Sequence, residues 1–198
     1  MKPTTKIMKL TNITILLSFA VALALIPCGC VTDPGAGLGS NNAAQADAAA
    51  TAALQNLYAS RPAAKSLGSK AKAILIFPDV VKAGFLWGGE LGNGVLRQNG
   101  KTVGYYNITA ASYGLQAGIQ SFGYALFLMN DSAMAYLNNT GGWQVGVGPS
   151  IVVMDEGMAR SISTTTLLQN DIYAFVFDQS GLMAGAGLQG SKITRVGP

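Results

Sequence analysis

Along the first third of the mature chain, apolar positions recur at helical spacing. Ala43 to Ala59 is Ala-rich, and Leu54, Leu57 and Tyr58 fall on one face at i, i+3 and i+4. Ser60 and Pro62 then interrupt the pattern. Ser60 is placed to cap a second helix with Pro62 in its first turn, Leu67 as its apolar anchor and an end near Lys70. From Ala73 the period changes. Ala73 to Phe77 is an apolar run closed by Pro78, and Val80 to Trp87 is a second run that ends in glycines; such short runs predict strands. Asn99-Gly100 predicts a hairpin turn between Val95–Gln98 and Thr102–Asn107. Tyr113 to Gln120 alternates, with Tyr113, Leu115, Ala117 and Ile119 on one face, and Val145 to Met154 does the same. Tyr124–Met129 and Ile172–Phe177 are apolar throughout and are expected to be buried on both faces. Asp131 to Asn138 predicts a short helix capped by Asp131. The expected fold class is α+β: N-terminal helices packed on a strongly curved, mainly antiparallel, Gly-rich sheet or small barrel. Glycines along one strand face permit that curvature.

The amino terminus reads differently. Lys2, Lys6 and Lys9 precede an apolar run of fourteen residues, Ile13 to Ile26. As a helix it spans about 21 Å, short of the roughly 30 Å hydrocarbon core, so a secretory signal fits better than a membrane anchor left in place. The run ends in Ile26-Pro27-Cys28-Gly29-Cys30, which holds both cysteines of the chain. A disulfide across a single residue would be badly strained. The stretch resembles a bacterial lipobox, in which a cysteine after a small residue is acylated. Cys30 follows Gly29 and fits best; Cys28, after Pro27, stays open as the alternative. Val31 places no aspartate after Cys30, which by the same resemblance implies the periplasmic side of the outer membrane. The expected organisation is a lipoprotein signal at 1–29, a Gly-rich tether at 30–42 and one domain at 43–198. An acylated cysteine anchors a protein without a transmembrane helix.

Charge narrows the function classes. The chain holds 13 basic and 9 acidic residues, net +4, but three lysines and no acid lie in the leader, leaving 10 against 9. The basic character is largely the leader's, and nucleic acid is not expected as a partner. Within the domain the charge is uneven. Arg61 to Lys101 holds seven basic residues and two acids, whereas residues 102–191 hold Arg160 against five acids. Lys65, Lys70, Lys72 and Lys82 therefore stand as candidates for contact with an anionic bilayer, where each basic residue is worth about 1 kcal/mol. An ordinary solvated charged face is the plainer alternative.

Catalytic patterns are missing. There is no histidine. Gly185-Ala-Gly187-Leu-Gln-Gly190 matches G-x-G-x-x-G, but it lacks the helix and the later acid that a dinucleotide site needs, so a Gly-rich strand is expected. Asp155 and Glu156 are adjacent and would diverge on a strand. Ser161, Ser163 and Thr164 to Thr166 have no histidine base, and nothing in their spacing calls for Lys192. No catalytic residue, metal site or cofactor is expected.

Several segments in order carry a wider resemblance: KAKAILIFPDVVKAGF, GGELGNG, VGYYNITAASYGLQAGIQSFGYALFLM, GWQVGVGPSIVV and DIYAFVF with GLMAGAGLQGSKITR. Together they resemble the SYLF domain over about Leu54 to Arg195. The resemblance implies a lipid-binding domain. Eukaryotic members of the family also bind actin and phosphoinositides, using an N-terminal amphipathic helix and basic residues. Here the corresponding helix carries Leu54, Leu57 and Tyr58, and the basic residues are Lys65, Lys70, Lys72 and Lys82. A periplasmic protein meets neither actin nor phosphoinositides, so those ligands do not carry over. The implied partners are membrane phospholipid and a covalent acyl anchor. The alternative is an envelope protein-interaction module without lipid recognition, meeting a protein partner through a strand face such as Gly114–Gln120.

Overall fold

The computed structural model describes residues 40–138, 141–145, 148–154 and 170–198. Two helices, α1 (Ser40–Ser60) and α2 (Pro62–Gly68), precede the strands β1 (Ala73–Gln98) and β2 (Lys101–Leu128). A short α3 (Asp131–Leu137) and the strands β3 (Trp143–Gln144) and β4 (Ile151–Met154) lead to β5 (Ile172–Gly197). The sheet order is β1-β2-β5-β3; these pairs are antiparallel, and β4 runs parallel to β5. The fold is α+β, with the helices on a strongly curved, mainly antiparallel sheet, as the pattern predicts.

The three main strands are 26, 28 and 26 residues long, several times the usual five or six. They pair along most of their length, with register shifts, and bend together at mid-length. On β1 the bend is tight: a Cβ built on Gly84 would lie 2.7 Å from the Cα of Gly88, and Leu86 between them has φ 64°. Opposite it β2 takes up extra residues, since Phe85 pairs with Ala117 but Trp87 pairs with Tyr113. On β5 the bend passes Gly181, at φ 86°.

The consequence is a sheet doubled over on itself. A Cβ on Gly94 would meet the Phe77 ring at 2.5 Å, and one on Gly92 would meet Val80 at 2.9 Å, so the two halves of β1 face each other. Between them lies one core, built from Leu75, Phe77 and Val80 on the first half and Leu96, Tyr106, Ile108 and Ile193 on the second, closed by Trp143 and by Ala133 and Leu137 of α3. A second core lies on the outer side. There Ala50, Ala53 and Leu57 of α1, with Ala64 and Leu67 of α2, cover Ile74, Ile76, Val95, Phe127 and Phe175. Residues 124–128 and 172–177 separate the two cores, which is why they are apolar without alternation. Both cores draw only on Ala50 to Ile193, and Gly37–Pro198 is a compact unit.

Helix α1 bridges the two halves. Arg97 donates from Nη2 to the Asp47 carbonyl oxygen at 2.8 Å and to Thr51 Oγ1 at 2.6 Å. Thr102 Oγ1 donates to Asp47 Oδ1 at 2.7 Å, and the Tyr105 hydroxyl donates to Oδ2 at 3.2 Å. Three turns later Leu57 is buried and the Tyr58 ring stands 6.5 Å from Phe127, on the other half.

Four local expectations are corrected. Pro78 does not end a strand: β1 runs through it, with a register shift between Phe77 and Val80 that removes the need for its missing N–H. Ser60 belongs to α1, where its Oγ donates to the Asn56 carbonyl at 2.9 Å, and Arg61 is the N-cap of α2 without a side-chain cap. Asn130, not Asp131, caps α3, accepting from the Ala133 N–H at 3.0 Å. The expected strand Val145–Met154 is reduced to Ile151–Met154, and Trp143–Gln144 pairs with β5 instead. The Asn99-Gly100 turn is present, with φ 52° and 76° as a type I′ turn requires. Asp155, Glu156, Ser161, Ser163 and Thr164 to Thr166 lie outside the described residues.

Four measurements check this architecture. Gly94→Ala should destabilise by about 1–3 kcal/mol in urea unfolding, because its methyl group overlaps the Phe77 ring. Gly89→Ala, whose nearest neighbour would be at 3.7 Å, should change stability by less than about 0.5 kcal/mol. Asp47→Ala should cost about 1–3 kcal/mol through the partners it leaves behind. Acid stability should depend on Asp171. Its carboxylate accepts from Asn130 Nδ2 at 2.6 Å and from the Ser150 N–H and Oγ at 2.9 Å, which holds its pKa below the usual range. That contribution is present above the unfolded carboxylate pKa and is lost as pH falls through the depressed folded value. Asp171→Asn should therefore flatten the acid limb of the stability curve.

Candidate functional site

Three of the four candidate lysines stand at the corner where the helices meet the sheet. Lys65 lies on α2, and Lys70 and Lys72 in the turn that follows; all three are exposed. The turn is fixed by its backbone, with Lys70 N–H donating to Leu67 O and Lys72 N–H to Leu128 O, both at 2.9 Å. Lys72 Nζ also pairs with Asp131 Oδ2 at 2.5 Å, an exposed pair of little energetic weight. No acid occurs between Asp47 and Asp79, so the corner is cationic with Asp131 as its one counter-charge among the ion pairs described. Cys30 lies outside the described residues.

Lys82 is elsewhere. It follows Lys72 by ten residues of mostly extended chain, a contour of roughly 33 Å. It faces Gln120 across the β1–β2 ladder and lines a cavity of about 320 Å³ between the two halves of the sheet. Ile108, Phe122, Tyr124, Val153 and Val176 supply the apolar part of that cavity, and Lys82, Glu90, Gln120, Gln179 and Ser191 the polar part. Lys82 and Glu90 stand on either side of the β1 bend, which brings both to the inner face. Glu90 is only 5 % exposed. Burial, reinforced by the Glu90 carboxylate, pushes the Tyr124 phenol up to about 12, so it stays protonated at neutral pH. The sequence reading treated Glu90 only as a count of charge. The signal available was its position: with Lys82 it flanks a Gly-rich, uncharged stretch of one strand.

A third feature was not foreseen. The outer side of the bend carries large apolar side chains in water: Leu182 is 88 % exposed, Phe85 75 %, Trp87 73 % and Ile119 65 %, with Leu86 and Leu91 beside them. Val80–Trp87 read simply as a strand, and nothing in its alternation says which face lacks a cover. The helix face behaves in the opposite way. Leu57 is fully buried and Leu54 and Tyr58 pack on the outer core, so the apolar side of α1 is turned to the sheet. Gly185, Gly187 and Gly190 pair with Gln116, Gly114 and Ala111 as part of β5, the Gly-rich strand expected of them.

Among the described residues no group of three His, Cys, Asp or Glu could hold a metal ion, and no helix is long and apolar enough to cross a membrane. No curated protein matches the chain. Residues 109–196 match the family model Ysc84, described as a Las17-binding protein actin regulator. The match begins within β2 and runs to the end of β5. It takes in the second and third strands of the bend and leaves Cys30 and the four lysines outside. Over residues 109–196 the chain is thus similar to the SYLF family, and the match is consistent with a SYLF domain.

Proposed function

We propose that the domain binds anionic phospholipid at its cationic corner and that acylation of Cys30, with Cys28 as the alternative, holds it at the periplasmic face of the outer membrane. The observation that carries this reading is the corner itself. Lys65, Lys70 and Lys72 stand exposed on a backbone fixed by hydrogen bonds, in a stretch of sequence with no acid. Fixed cations next to a packed domain attract an anionic surface without losing much freedom of their own. The acyl chain supplies residence, and the corner supplies orientation and headgroup preference. The domain is in this reading a binder and not a catalyst. The resemblance to the SYLF domain, which implies lipid binding, supports this reading, and residues 109–196 match that family's model.

The test is vesicle co-sedimentation of residues 37–198, which lack the acyl cysteine. Changing Lys65, Lys70 and Lys72 together to Glu should lower binding to anionic vesicles by at least about tenfold, three charges each reversed near the surface. Raising the salt should weaken the unmodified domain in the same direction. Lys82→Glu should leave surface binding unchanged, because Lys82 faces the cavity. Equal binding of the triple variant would remove the corner from the function. No binding by any form would point to a protein partner and leave the acyl chain as the membrane contact.

A further inference from the structure

The crest formed by the bend has three properties that belong together. The first is exposure of Phe85, Trp87, Ile119 and Leu182. The second is the absence of charge on every strand that crosses it. No Asp, Glu, Lys or Arg occurs between Lys82 and Glu90 on β1, from Thr102 to Leu128 on β2, or between Asp178 and Lys192 on β5. The third is the backbone of Leu86. Its φ of 64° is one at which glycine is at ease and a leucine is strained. Glycines stand close by at 84, 88 and 89, yet the most strained position of the turn carries a large apolar side chain that is 45 % exposed. The register joins the residues into one surface: Ala83, Ile119 and Leu182 form a row across all three strands, and Phe85, Ala117 and Ala184 form the next.

We propose that this crest is a membrane-inserting edge, whose Phe85, Leu86, Trp87, Ile119 and Leu182 enter the interfacial layer of a phospholipid bilayer. Shape and chemistry favour a bilayer over a second copy of the chain. A folded sheet edge is convex, and two such edges meeting head to head touch along a line, far from the roughly 800 Å² per partner of a stable protein interface. A bilayer yields around a convex edge. Along the bend β2 stays paired with β5 from Tyr113 to Gly118, so the backbone groups of that ladder enter already satisfied. No charge has to be desolvated; Trp settles at the headgroup boundary, and Phe and Leu are among the apolar side chains with which interfacial elements enter it. This placement rests on the reading of the domain as a lipid binder, but on a surface distinct from the lysines. The cationic corner adjoins Ala73 and Leu128, where the doubled sheet opens, and the crest is its opposite end.

Tryptophan fluorescence tests it directly. Trp87 is on the crest, and the other tryptophan, Trp143, is 2 % exposed in the inner core and gives a constant background. Residues 37–198 would be mixed with vesicles of neutral phosphatidylcholine, with and without phosphatidylglycerol, at low and high salt. Insertion should shift the emission to the blue and bring quenching by brominated acyl chains, on neutral vesicles and with little dependence on salt. Phe85→Ala with Leu182→Ala should lower the partition by about tenfold or more while circular dichroism stays unchanged. Lys65, Lys70 and Lys72 changed to Glu should keep the blue shift on neutral vesicles. Sedimentation with anionic vesicles and no change in Trp87 emission would overturn the crest and leave the cationic corner standing. Loss of all vesicle binding would overturn both. Lipid-free self-association that Phe85→Ala abolishes would also overturn it, assigning the crest to a second copy.

Discussion

Everything in this domain depends on three long strands bending at the same level while β2 and β5 keep their ladder through the bend. A flat ribbon of 26 to 28 residues would expose both faces along much of its length and bury little. Doubling it gives the ribbon an inside. Phe77 can then meet the strand at Gly94, and Val80 can meet it at Gly92, because neither position carries a side chain. The bend is therefore both the source of the inner core and the reason that the sequence is so rich in glycine. Its outer side is left without a cover, since the helices are spent at the other end.

Helix α1 turns the doubled sheet into a closed body. Its second turn is tied to Arg97, Thr102 and Tyr105 by polar contacts, while its last turns rest on Phe127 through apolar ones. The two kinds of contact suit the two places. The hairpin end is wet and offers side-chain donors; the middle of the sheet offers only rings and methyl groups. An amphipathic helix whose apolar face is occupied in this way contributes to stability and not to surface chemistry.

Much of this was legible in the sequence, and the exceptions have physical causes. Residues 124–128 and 172–177 announce their burial on both faces by lacking alternation, and Asn99-Gly100 announces the turn. Pro78 was misleading because an edge strand with a bulge tolerates a residue that a central strand would reject. Asp131 was mistaken for a cap that Asn130 provides one residue earlier, a shift that composition cannot resolve. Lys65, Lys70 and Lys72 are near one another in sequence and remain so in space, and they could be grouped by eye. Lys82 could not be separated from them, because local alternation does not say which face of a strand becomes the inside of a doubled sheet. The same ignorance hid the crest and the cavity, two sides of one bend. The long absence of charge across β2, from Thr102 to Leu128, was visible and marked both.

The bridging role of α1 also sets an order in time. The chain is made from its amino terminus, so α1 is complete before any residue of the sheet exists. Its docking surface is assembled from β1, β2 and β5, and β5 begins only at Ile172, far along the chain from Ser60 at the end of α1. Helix α1 must therefore wait, with Leu57 and its neighbours uncovered, until β5 is present. The contacts that close the fold join residues separated by most of its length, a topology that favours slow, late closure over stepwise growth.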